Sequence, residues 1–581
     1  MACDFINQLS VLRKQSMEAV EGTDSFADFK KYLHVVRPVE DELRTILRKV
    51  NQAGKKCLVL LCGSAGDGKS HLISYLRNAD AEGLLESFSL YNDATESSAP
   101  EKTSIDTLYE KLAAFNDENL HNDDSFKMIL AINLGTLNNF IESEKGAAFS
   151  QLKKYVEENN IFSYTRKCEY HENSAFQHVS FSDYQVFTLR ESGVQTDYLN
   201  TLIDKVFAVS DDNPFYAAYK ENETCSLCQR CPVRHNYEFL MLKVSQKALI
   251  EKIVECVIKD KTIVSTRDVL NLLYDIIVHP DFDYAEMCQA ATSDLQYLTK
   301  YIQYTTPMLL YEYDDISALI NAIKGHDILK ERQEKMDIAA TRFHSLENIN
   351  ESFEEAAKET PYEKLKDITK IATLGGVKPE LKKQVYRFIA RTKDIKGEYQ
   401  TSQQKELLSE FITYLFYQHS GREKQLKKLY ESTRKAVLNW DGQFDTEKIC
   451  IDDSNERFWV VEQLQVQPAP FKDVAEEVDE VLRFSTNVRL RFKKASGDAF
   501  NSATIDMDYA LFEMITAMRE GYRPTVQDKN QHTDFVSFVQ QMIEFGDKNK
   551  RIELLPKDNE KDFRIIFEEN AFDYDFRVVR G

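Results

Sequence analysis

The six residues Cys57–Cys62, CLVLLC, form an unbroken apolar run with Lys55–Lys56 before it and Gly63 after it. A run that short, bounded by charge and glycine, predicts a strand buried on both faces of a parallel sheet. Just beyond, SHLISYLRNAD places Leu72, Ile73, Leu76 and Ala79 at helical spacing, so a helix follows. The alternation then continues. SFSLYND (87–93), KMILAIN (127–133), FQHVSF and YQVFTL (both within 176–189) read as strands, and SIDTLYEKLAAF (104–115) as a helix.

Residues 1–55 read as helical, most clearly in VEDELRTILRKV. VSTRDVLNLLYDIIV (264–278) predicts a helix with Ser265 or Thr266 as N-cap. Residues 300–440 are mostly helical in pattern. After about Asp445 the segments KICID, RFWVVEQLQV, NVRLRFKK, RIELL, DFRIIFEE and FDYDFRVV favour strands, with helices at 508–521 and 534–545.

The strand and helix at 57–79 enclose G-x-x-x-x-G-K-S, Gly63 to Ser70. Strand, glycine loop and helix are the context a P-loop needs. There, backbone N–H groups along Gly63, Ser64, Ala65, Gly66, Asp67 and Gly68 curl around phosphate oxygens. Lys69 reaches the β- and γ-phosphates, Ser70 ligates Mg²⁺, and His71 follows on the helix that adds its dipole. ATP with Mg²⁺ is the expected ligand, although the motif alone does not separate ATP from GTP. The predicted fold is an α/β P-loop NTPase (AAA+-like) domain with a helical lid and helical middle region, followed by a smaller α+β C-terminal domain. The expected boundaries are 1–55, 56–260 with a cysteine-cluster insertion, 261–330 for the lid, 331–444, and 445–581.

A hydrolysing site needs an acid near the loop to hold Mg²⁺ and polarise water. KMILAIN ends in Asn133, which resembles an AAA+ sensor residue. The acid is then Asp93, with Glu96 nearby. Arg267, at the start of the lid helix, is the candidate sensor or finger arginine. Each has an ordinary alternative: turn capping for Asp93, a strand-end backbone contact for Asn133, a solvated helix start for Arg267. Tyr32 and His34, in KYLHVVRP, are placed to line a base pocket, with simple packing the favoured alternative.

CSLCQRCPVRHN carries Cys225, Cys228 and Cys231 as C-x₂-C-x₂-C-P, three of ten cysteines within seven positions. Thiolates at this spacing converge on one ion, and tetrahedral zinc needs a fourth ligand. Cys168 is the first choice, followed by His235 and His171. An iron–sulfur cluster is the alternative metal reading, and three free thiols the plain one. The role in either metal case is structural.

The net charge of −21 over 581 residues argues against a broad nucleic-acid-binding surface of the chain's own. One local exception is NVRLRFKK, where Arg489, Arg491 and Lys493 alternate with Val488, Leu490 and Phe492. No run of 18 apolar residues predicts a membrane span, and the first residues lack a signal-peptide pattern, so a cytoplasmic location is expected.

Taken in order, LLCGSAGDGKSHL, YNDATES, ILAINLGTLNNFI, the cysteine run, VSTRDVLNLLYDIIV and GYRP (521–524) resemble the DptF (DndF) family. This is the ATPase-like component of bacterial DNA phosphorothioation-dependent restriction. The resemblance covers most of the chain and is most specific over 57–280. It implies a defence role in which DptG- and DptH-like partners join this chain to restrict DNA lacking the sulfur mark, with DNA contacted mainly through the complex. The missing acid after KMILAIN departs from the standard ATPase pattern. No H-N-H or P-D-x-D-x-K nuclease motif is present, so DNA cleavage is not expected here. Two other functions fit the residues: a nucleotide-gated scaffold with little hydrolysis, and a stand-alone regulatory ATPase.

Overall fold

The computed structural model describes residues 3–13, 31–63, 67–79, 82–91, 103–122, 125–162, 169–181, 184–225, 227–289, 295–312, 317–330, 334–346, 349–365, 379–399, 402–442, 444, 447–452, 454–471, 477–495, 502–545, 547–557, 563–569 and 574–580. The architecture is mixed α/β. It contains a four-stranded parallel sheet, many helices and a C-terminal region rich in antiparallel strands.

The parallel sheet is built from β1 (Cys57–Cys62), β2 (Phe88–Tyr91), β3 (Lys127–Ile132) and β4 (Phe176–Ser180), in the order β2-β3-β1-β4. Successive side chains of a strand point to opposite faces, and both faces of β1 are covered. Cys57, Val59 and Leu61 join one core with Val39, Leu43 and Ile46 of helix Pro38–Ala53 and with Leu72, Ile73 and Leu76 of helix Lys69–Ala79. Leu58, Leu60 and Cys62 join the other, against Leu108, Leu137, Phe140 and Leu152. This two-sided burial is why CLVLLC carries no polar position. Each fully buried Leu or Val contributes roughly 1.5–3 kcal/mol relative to exposure.

β5 (Tyr184–Arg190) departs from the expectation that YQVFTL extends the parallel sheet. It lies in a separate three-stranded sheet with β6 (Gly193–Gln195) and β9 (Glu480–Arg483). Its buried residues Tyr184, Val186, Phe187 and Leu189 fall on both faces of the strand, with Gln185 and Thr188 half-buried between them.

The chain forms two compact units, residues 1–188 with 195–401, and 189–194 with 402–581. In the first, helices beyond the sheet are tied by buried and half-buried ion pairs. Lys252 meets Asp394 at 3.0 Å, and Arg391 meets Asp327 at 2.7 Å and Glu312 at 2.8 Å. In the second, β7 (Lys448–Asp452), β8 (Phe458–Pro468), β10 (Val488–Lys494), β11 (Ser502–Met507), β12 (Asp547–Pro556), β13 (Phe563–Glu569) and β14 (Tyr574–Arg580) form a seven-stranded antiparallel sheet. Val488, Leu490 and Phe492 are fully buried there, as the period-two pattern of β10 requires. No described helix is long and apolar enough to cross a membrane.

Candidate nucleotide site

From β1 the chain passes to β2 and β3 on one side, then to β4 on the other. β1 is therefore the switch point of the sheet, and ligands of open parallel sheets bind beyond the carboxyl ends of strands at such a point. The glycine-rich segment leaves β1 at that end. Gly63 N–H donates to the Ile132 carbonyl of β3 at 3.2 Å, and Phe181 N–H, just past β4, donates to the Cys62 carbonyl at 2.8 Å.

The glycines here are required by the geometry. A Cβ at Gly63 would meet Asp67 Oδ2 at 2.8 Å and Phe181 Cβ at 2.9 Å. Gly68 has φ +97°, a conformation that favours glycine. Helix Lys69–Ala79 starts directly after it, with Leu72 N–H donating to the Gly68 carbonyl at 2.8 Å. Lys69 Nζ donates to the Gly63 carbonyl at 2.8 Å, so the side chain folds over the segment rather than into solvent. Ser64, Ala65 and Gly66 lie outside the described residues.

The segment before helix Pro38–Ala53 braces this loop. Arg37 donates to the Asp67 carbonyl at 3.1 Å and to the Tyr184 carbonyl at 3.4 Å. Its guanidinium lies 5.7 Å from the Phe181 ring and 5.3 Å from the Tyr198 ring. His34 stacks on Tyr75 with ring centres 3.6 Å apart, and its Nδ1 is 3.1 Å from His71 Nε2. His34 Nε2 lies 3.0 Å from Glu40 Oε2. Burial pushes the Glu40 carboxyl up, but His34 and Arg44 outweigh it and hold it below its usual value. Tyr32 donates to the Lys205 carbonyl at 2.8 Å. His34 and Tyr32 thus both have partners within the protein.

Asn133 follows β3, beside the start of the glycine segment. Its Oδ1 accepts from Gly135 N–H at 2.8 Å and caps helix Leu134–Ile141. Asp93 and Glu96 lie outside the described residues. Arg267 sits on the first turn of helix Thr266–Asp275, whose N-cap is Ser265 in a capping box with Asp268. Tyr198, under Arg37, shares a 2.6 Å hydrogen bond with Thr266. The start of that helix is therefore linked through Tyr198 and Arg37 to Asp67. Arg37 is the residue that the sequence reading missed. Its only signal was its place before Pro38, in the stretch already noted for Tyr32 and His34.

No family model, curated protein or solved structure matches this chain.

The cysteines occupy a different part of the first unit. Cys225 follows helix Pro214–Glu221, and Cys231 is the buried N-cap of helix Pro232–Met241. Between them, a short 3-10 turn spans Cys228–Arg230. Cys168 lies outside the described residues. His171 belongs to the parallel-sheet region, with its ring 5.5 Å from Tyr155. His235 is fully buried, with Nδ1 hydrogen-bonded to the Tyr301 hydroxyl. Burial, then Lys364, pushes its pKa down to about 4. Among the described residues, the ligand-type atoms that come within 4.8 Å of one another belong to Cys256, Asp260 and His326, not to the cysteine run. Asp260 Oδ2 and His326 Nε2 are 2.6 Å apart, which a hydrogen bond explains without a metal.

Proposed function

We propose that this chain is a P-loop ATPase subunit, coupling ATP binding at Gly63–Ser70 to restriction of unmodified DNA by a multi-subunit complex. One observation carries the nucleotide reading. A glycine segment that tolerates no Cβ at Gly63 runs from the switch-point strand into the N-terminus of helix Lys69–Ala79. Backbone N–H groups and a helix N-terminus favour phosphate at such a place. Lys69 would release the Gly63 carbonyl to meet the β- and γ-phosphates, and the Ser70 hydroxyl would hold Mg²⁺. The ion neutralises charge on the phosphate oxygens when bound. Asn133 and Arg267 would respond to the γ-phosphate, and Asp93 would supply the acid.

The restriction role rests on the resemblance to the DptF family, with DptG- and DptH-like subunits as partners. The net charge of −21 favours DNA contact through those partners. In β10, Arg491 donates to the Ala469 carbonyl at 2.9 Å and lies 4.2 Å from the Phe471 ring, while Arg489 faces Asp506 at 3.4 Å. Those two cations of the stripe are partly spent inside the second unit. The scaffold reading, ATP binding with little turnover, is favoured by one observation: the residue after β3 is Asn133, not an acid, and that side chain caps a helix.

The test is a calorimetric titration of ATP with Mg²⁺ into wild type and Lys69→Ala. Binding should disappear in the variant while its circular dichroism stays unchanged. Equal affinity in both removes the nucleotide reading. A turnover assay with and without partners and DNA separates ATPase from scaffold, and co-purification separates both from a stand-alone ATPase.

A further inference from the structure

Helix Lys243–Lys259 packs against helix Ala318–Gly325, and each is closed by a residue with metal-ligand chemistry. Asp260 caps the first and His326 the second. Cys256 lies four residues before Asp260, so thiol and carboxylate share one face of the helix end. A turn fixes them there. The N–H groups of Asp260 and Thr262 both donate to the Cys256 carbonyl, at 3.1 and 3.2 Å, and Lys261 between them has φ +55°.

Cys256 Sγ, a carboxylate oxygen of Asp260 and a ring nitrogen of His326 all lie within 4.8 Å of one another. The 2.6 Å hydrogen bond between Asp260 Oδ2 and His326 Nε2 accounts for two of these atoms. It leaves the third unexplained. Cys256 is a free, fully buried cysteine, yet its sulfur meets a polar pair. We propose that Cys256, Asp260 and His326 bind one zinc ion, with three protein ligands and a fourth position open to solvent.

Three features favour zinc here. The first is ligand type. Thiolate, imidazole and carboxylate are the ligands that zinc takes, and one thiolate with one carboxylate neutralises a divalent ion. The second is spacing. Bonds of about 2.0–2.3 Å at tetrahedral angles set ligand atoms about 3.3–3.6 Å apart. The Asp260 side chain is exposed, so it can swing away from His326 to admit the ion, while the thiol proton passes to solvent. The third is the local field. Both capping ligands stand at helix C-termini, where carbonyl groups favour a cation. Behind the ring, His326 Nδ1 lies 3.8 Å from Glu255 Oε1, which Lys259 holds at 2.5 Å. A carboxylate behind a ligating imidazole orients it and fixes which nitrogen faces the metal. Cys256 lies inside and Asp260 outside, so the open position faces water. The site does not depend on the nucleotide reading.

The experiment is zinc uptake by equilibrium dialysis of full-length, reduced protein stripped with a chelator, wild type beside Asp260→Asn, His326→Gln and Cys256→Ser. Zinc held elsewhere in the chain is common to all four and cancels in the differences. Asp260→Asn is the sharpest comparison. Its amide oxygen can still accept from His326, and Asn suits a helix end, so a purely structural role would leave uptake unchanged. Asp260→Asn and His326→Gln should each hold about one zinc fewer than wild type, or need at least about tenfold more free zinc to fill the site, at unchanged circular dichroism. With cobalt as the probe, wild type should show thiolate-to-metal absorbance that Cys256→Ser lacks. If Cys256→Ser does not fold, the other two variants decide alone. Wild-type zinc uptake in either Asp260→Asn or His326→Gln, or identical cobalt spectra for wild type and a folded Cys256→Ser, would overturn the assignment.

Discussion

Arg37 donates to the main-chain carbonyl of Asp67 at 3.1 Å, joining the residue before helix Pro38–Ala53 to the glycine segment after β1. The same guanidinium reaches the Tyr184 carbonyl and lies against Phe181 and Tyr198. A lysine can meet one carbonyl but cannot match the planar fork or the ring contacts. Arg37→Lys should therefore weaken ATP binding about tenfold, or about 1.4 kcal/mol. Calorimetric titration measures it. Unchanged affinity would mean that Arg37 braces the fold without shaping the loop.

Gly63→Ala inserts a Cβ where Asp67 Oδ2 and Phe181 Cβ stand at 2.8 and 2.9 Å. The Asp67 carboxylate can swing aside, but the Phe181 Cβ is fixed to the backbone that pairs with Cys62. The expected cost is about 1–3 kcal/mol in urea unfolding, the usual range for overpacking. A neutral result would show that this corner yields, and that Gly63 is not there for close approach.

Much of this fold is visible in the chain because both of its main signals are local. CLVLLC and KMILAI are apolar at nearly every position, and both became strands buried on two faces. Val488, Leu490 and Phe492 alternate with charge and became the covered face of β10. What stayed hidden is long-range. Nothing near Arg37 shows that Asp67 and Tyr184 will present carbonyls to it. Nothing near Cys3 shows that Asn222 will meet it, because a lone cysteine at a helix start has no spacing to read. YQVFTL misled for a related reason. Its apolar content is that of a sheet strand, but which sheet it joins depends on β9, nearly three hundred residues later.

Asn133 has a structural duty and a proposed catalytic one, and substitution separates them. Its Oδ1 caps helix Leu134–Ile141 through Gly135 N–H. Asn133→Ala should cost about 1 kcal/mol, and Asn133→Asp should keep the cap at little cost. If Asn133 senses the γ-phosphate, Asn133→Asp should still lower ATP turnover at least about tenfold, because a carboxylate repels the phosphate that the amide would contact. Full turnover in a stable Asn133→Asp protein would leave Asn133 with the capping role alone.

His235 makes the first unit sensitive to mild acid. Its pKa falls from the usual 6.5 to about 4, first through burial and then through Lys364. Above pH 6.5 the ring is neutral in folded and unfolded chains, and it adds no pH dependence. Between pH 6.5 and about 4 the unfolded chain takes up a proton that the folded chain refuses. Stability therefore falls as pH falls across that window, by about 2 kcal/mol at pH 5 from this group alone. His235→Gln should lose stability at pH 7, since the Tyr301 contact changes, but show a flatter decline toward pH 5. His419 shares the direction, with its pKa lowered to about 4 by burial, and it belongs to the second unit. The two can be read apart. Both tryptophans, Trp440 and Trp459, lie in the second unit, so their fluorescence follows His419. Far-UV circular dichroism follows the helices around His235 as well. Urea unfolding at pH 7 and pH 5 should then show His235→Gln flattening the dichroism transition and leaving the tryptophan transition as steep in pH as in wild type. Equal pH dependence of the dichroism transition in variant and wild type would remove His235 as its cause.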